Sequence, residues 1–69
     1  MKLVHFTSYN GKRHLSFVAN KVISFTESPG DSDKTLIIVQ TPSDNDEFIV
    51  GENYGQVLVI MDLAEDDSL

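Results

Sequence analysis

Apolar and polar residues alternate near the start of the chain, in "LVHFT" and again in "HLSFV". A period of two is the mark of a strand with one buried face. Asn10-Gly11 lies midway between the two runs, and that dipeptide favours a two-residue hairpin turn. Such a turn makes the numbers of facing residues sum to 21, so Phe6 faces Leu15 and Val4 faces Phe17. One face then collects Val4, Phe6, Leu15 and Phe17. The other collects Leu3, His5, Thr7, His14, Ser16 and Val18. Turn chemistry and hydrophobic sorting thus choose one register independently.

The run "VISFTE" alternates again, with Ile23 and Phe25 on one side and Ser24 and Thr26 on the other. A turn cluster, "SPGDSD", follows. "KTLIIVQ" differs in kind: Leu36 to Val39 is unbroken, which predicts a central strand covered on both faces. After "TPSDND", the segment "EFIV" reads as a fifth strand with Phe48 and Val50 inward. The expected fold is mainly β, of α+β type: a five-stranded antiparallel meander curled into a small barrel-like sheet. A single domain spans 1–69, with the meander over 1–50 and one C-terminal α-helix packed on it.

That helix is expected over 53–65. Asn53 is a good N-cap, and Gln56 completes an Asn-x-x-Gln form of the capping box. At about 100° per residue, Val57, Ile60, Met61 and Ala64 fall on one stripe, with Tyr54 at its edge. The rival reading, a sixth strand "QVLVIMDL", has β-branched residues in its favour, but the cap and the "DLAEDD" ending support a helix. The acidic tail, 66–69, is expected to fray. The stripe leaves Leu58, Val59 and Leu63 unaccounted for, so these three residues are the candidate interaction surface.

The size of the chain sharpens that point. It has 69 residues and no cysteine, so disulfides, thiolate metal sites and cysteine nucleophiles are excluded. Small domains without such staples often gain stability by oligomerising. No run reaches the length of a membrane span, and "MKLVHFTSYN" lacks a signal-peptide core, so a soluble cytoplasmic protein is expected. The net charge of −6 is split: residues 1–26 sum to +4 and residues 27–69 to −10. Lys2, Lys12, Arg13 and Lys21 make a possible basic face on the first hairpin. The acidic total argues against general nucleic-acid binding.

At family level, several positions form a pattern: Asn10 and Gly11 in the first turn, then Asn20, Ile23, Glu27 and Pro29. Thr35, Ile37, Val50, Glu52 and Val57 continue it. In this order they resemble the small flagellar proteins of the FlbD/SwrD type, whose "LNG" turn precedes "N…I…IE..P.T.I.L" and "VVxES…EVV". The resemblance covers most of the chain and implies a shared architecture, with a flagellar role as the functional expectation. Two departures stand out: "TPSDND" replaces the family's glycine between the fourth and fifth strands, and the C-terminal end is acidic where the family's is basic.

Candidate chemistry is sparse. His5 and His14 share a hairpin face as diagonal neighbours, but a metal site needs three or four ligands and no third is placed. No serine lies in a nucleophile elbow. "SPGDSD" lacks the glycine placement and terminal glutamate of a calcium loop, and "GENYG" is no phosphate loop. No enzyme, metal or cofactor is expected. The leading expectation is a small module that binds protein and assembles with itself, as a homodimer or larger, besides a protein partner of unknown identity. Two alternatives stand beside it. One is a nucleic-acid-binding barrel using the basic hairpin and Tyr9. The other is an acidic inhibitor that mimics nucleic acid.

Overall fold

The structure, a computed structural model, describes residues 2–66. Strands β1 (Leu3–Thr7) and β2 (His14–Val18) pair antiparallel with Val4 opposite Phe17 and Phe6 opposite Leu15, the expected register. The turn itself differs. A two-residue turn of the Asn-Gly kind needs positive φ at both residues, yet Gly11 (φ 75°) has it and Asn10 does not. The chain forms a four-residue loop instead, Tyr9 to Lys12, in which the Ser8 N–H donates to the Arg13 carbonyl at 2.9 Å. The Gly11 N–H donates to the Ser8 carbonyl at 2.9 Å, and the Asn10 carboxamide oxygen accepts from the Lys12 N–H at 3.0 Å. Both turns are centred between residues 10 and 11, so the register is the same.

A 3-10 turn at Ala19–Lys21 leads into β3 (Val22–Ser28), which pairs with β4 (Asp31–Gln40), which pairs with β5 (Asn45–Val50). Pro29-Gly30 turns the β3–β4 hairpin, and Gly30 carries the positive φ (83°) that the third position of a type II turn requires. The simple alternation expected of "VISFTE" breaks at a bulge. Val22 pairs with Val39 and Ser24 with Ile38, so Ile23 has no partner residue and is 55% exposed. Phe25 keeps its inward place against the Tyr54 ring, with centroids 5.4 Å apart.

The expected single meander, curled into a barrel-like sheet, does not form. β1 and β2 make a two-stranded sheet and β3, β4 and β5 a three-stranded one, joined among the described residues by a single bridge between Ser8 and Val50. The turn at Ala19–Lys21 carries the chain from one sheet to the other without pairing β2 to β3. Helix α1 (Tyr54–Asp66) follows. It starts where expected, and the expected fraying of 66–69 lies, from residue 67 onward, outside the described residues. No helix among the described residues is long and apolar enough to cross a membrane.

The core gathers Val4 and Phe6 from β1, Ile37 and Val39 from β4, Val50 from β5, and Val57 and Ala64 from α1. A ladder of rings, Phe6 to Phe17 at 6.0 Å and Phe17 to Phe48 at 5.1 Å, ties the two sheets together. Hairpin and helix therefore cover the same face of β4, the one carrying Thr35, Ile37 and Val39. The prediction that β4 is covered on both faces is corrected: Leu36 and Ile38, on the far face, are half-buried. Their shielding comes from within the sheet, where Leu36 lies between Thr26 and Ile49, and Ile38 between Ser24 and Glu47.

Candidate interaction surface

The position of α1 is fixed by a polar clasp at the junction of the sheets. The Glu52 carboxylate accepts hydrogen bonds from the Thr7 N–H at 3.0 and 3.1 Å and from the Thr7 hydroxyl at 3.1 Å. The Glu52 carbonyl accepts from the hydroxyl of Thr35, which is fully buried, at 2.9 Å. One residue earlier, the Gly51 N–H donates to the Thr7 carbonyl at 2.9 Å. A single residue thus pins the end of β1, the middle of the three-stranded sheet and the entry to the helix. Among the described residues no buried polar side-chain atom lacks a partner. Glu52 entered the sequence reading only as part of the family pattern, because nothing local to "VGEN" announces a partner 45 residues away.

The helix then begins on its capping box. Asn53 Oδ1 accepts from the Gln56 N–H at 2.9 Å, and Gln56 Oε1 accepts from the Asn53 N–H at 3.0 Å. With the start so placed, Val57 (0% exposed) and Ala64 (5%) face the core, and Ile60 and Met61 pack beside them. The remaining apolar residues point away: Leu58 is 49% exposed, Val59 58% and Leu63 60%. Sequence reasoning named all three.

It missed Leu3. That side chain is 47% exposed and lines, with His5, Ile60 and Leu63, an open groove of about 320 Å³ between β1 and α1. The signal was present, because the hairpin register puts Leu3 among the polar residues of the outer face. Lys2 lines the same groove beside Ala64.

The possible basic face does not hold together as one surface. Lys12 and Arg13 belong to the β1–β2 loop, whereas Lys2 and Lys21 sit at the other end of the hairpin, where the Ala19 N–H donates to the Lys2 carbonyl at 2.8 Å. The five-residue strands between them span roughly 17 Å. Tyr9 is exposed near the loop, with the Lys34 ammonium 5.9 Å from its ring centroid, within cation–π range.

His5 and His14 are diagonal neighbours on the exposed hairpin face, as the register predicts. His5 Nδ1 lies 2.9 Å from the Ser16 hydroxyl oxygen across the strands. Among the described residues no group of three histidine or acidic side chains is arranged to hold a metal ion. The acids are dispersed: Asp31 and Asp33 at the β3–β4 hairpin, Asp44, Asp46 and Glu47 along β5 and its approach, and Asp62 on α1. Comparison with protein-family models, with curated proteins and with solved structures finds no match for this chain.

Proposed function

We propose that this chain is a non-enzymatic, cytoplasmic interaction module that assembles with itself through the outer flank of α1. The observation that carries the reading is the pair Val59 and Leu63, adjacent on one flank of α1 and each more than half exposed, with the half-exposed Leu58 on the opposite flank of a helix whose remaining apolar side packs on the core. Leu3 extends this apolar surface across the groove onto β1. Covering the wet half of one such side chain contributes about 1 kcal/mol, and a two-fold axis doubles each contribution. Set against the cost of association, that total supports a weak, concentration-dependent dimer rather than an obligate one.

The flagellar resemblance bears on architecture more than on role. Part of its pattern serves the fold: Gly11 takes the left-handed conformation in the first loop and Pro29 starts the second turn, whereas Ile23 is exposed at the bulge. Thr35, Ile37, Val50 and Val57 are fully buried, and Glu52 forms the clasp.

The test is molar mass by light scattering over a wide concentration range. The wild type is expected to exceed its monomer mass of 7.7 kDa as concentration rises. Val59→Asp and Leu63→Asp are expected to stay at that mass with an unchanged circular dichroism spectrum. A wild type that remains monomeric throughout defeats the proposal.

A further inference from the structure

A second surface runs along β5, away from the helix flank. β5 is the outer strand of its sheet, and Val50 at its end bridges to Ser8, just past β1. The rest of its outer edge, residues 45–49, has no strand partner among the described residues. An extended chain can pair with such an edge through main-chain hydrogen bonds. Beside it lies an open groove of about 590 Å³, walled by Tyr9, Pro29, Phe48 and Ile49 and flanked by the carboxylates of Asp31 and Glu47. Tyr9 and Ile49 are 56% and 39% exposed, while Phe48 is anchored from behind by the Phe17 ring.

Charge selects the occupant. Asp44, Asp46 and Glu47 are exposed along this edge and its approach, and none holds an ion pair among the described residues. The nearby cation, Lys34, sits over the Tyr9 ring. A second copy adding its own β5 would set Asp46 and Glu47 against like charges across the new strand pair, which is destabilising. Asp46 and Glu47 lie on opposite faces of the strand, so a partner strand with lysine or arginine beside Glu47 reverses the sign on the far face, and its alternate apolar residues fall on the other face, beside Phe48. We propose that the outer edge of β5, with its groove, is a strand-addition site for an extended cationic peptide segment of another protein.

This site is separate from the α1 flank, so the test is run on both the wild type and the Val59→Asp chain. The probe is a short synthetic peptide of alternating valine and lysine, and its valine–glutamate counterpart is the control. The lysine peptide is expected to shift the amide NMR signals of residues 45–49 and the Tyr9 ring in both proteins. Its affinity should fall several-fold with added salt, and the glutamate peptide should leave those signals unmoved. Asp46→Lys combined with Glu47→Lys should exchange the preference, with folding checked by circular dichroism. The proposal is overturned by equal response to both peptides, by shifts confined to α1, or by no shifts at all. Shifts at 45–49 that grow with protein concentration in the absence of peptide also overturn it, since the edge would then be meeting a second copy.

Discussion

Two glycines four residues apart have opposite duties. A Cβ on Gly51 would lie 2.9 Å from the Ser8 carbonyl oxygen and 2.9 Å from Thr7 Oγ1, and the first of these is main chain that cannot step aside. Gly51→Ala is therefore expected to cost about 1–3 kcal/mol. For a domain of this size that lowers the melting temperature by roughly 4–8 °C per kcal/mol. At Gly55 the nearest atom to an added Cβ is Asn53 Oδ1 at 3.5 Å, an ordinary contact. Gly55→Ala should stabilise by up to about 1 kcal/mol through helix propensity. Thermal melts check both, and a Gly51→Ala chain as stable as wild type would refute the close approach of β5 to β1. Glu52→Ala strands the Thr7 N–H and hydroxyl without their acceptor, at a cost of about 1–3 kcal/mol. Urea denaturation reads that loss, and a neutral result would mean that water replaces the clasp. In "GENYG" the two glycines look alike; only the approach of β1, a contact distant in sequence, tells them apart.

At the level of elements, α1 and the first hairpin were the most legible, because each is signalled twice within its own sequence. Asn53 and Gln56 mark the helix start, and the spacing of Val57, Ile60, Met61 and Ala64 marks the buried side. Asn53→Ala is expected to lower stability by about 1 kcal/mol, with helix content at low temperature nearly unchanged. A fully neutral Asn53→Ala in denaturant melts would contradict the capping role. The four-residue loop, the bulge at Ile23 and the one-sided cover of β4 were not legible. In the loop, Asn10 gives its side chain to the Lys12 N–H instead of taking a positive φ, a local competition that the dipeptide rule does not weigh. The bulge is defined by pairing with β4, and no pattern inside "VISFTE" encodes it. The unbroken run of β4 misleads because strand neighbours can shield apolar residues as a second layer would.

For the whole molecule, antiparallel strands with a C-terminal helix followed from strand periods and turns. The break into two sheets did not, since it depends on where a three-residue turn aims the next strand. Of the candidate surface residues, Leu58, Val59 and Leu63 are exposed, as subtraction of the helical stripe implies. Residues that a helical stripe leaves over are exposed once the stripe is fixed. Lys2, Lys12, Arg13 and Lys21 are divided between the two ends of the hairpin, Lys12 and Arg13 beside the turn and Lys2 and Lys21 at the far end. The central claim is that two copies meet through Leu58, Val59 and Leu63. The most direct measurement is an isotope-filtered NMR experiment on a mixture of labelled and unlabelled chains, which detects only contacts between copies. Intermolecular contacts to the methyl groups of Leu58, Val59 and Leu63, with Leu3 at the margin, are predicted. Intermolecular contacts confined to other surfaces, or none at concentrations where the chain is saturated with partner, would contradict the account.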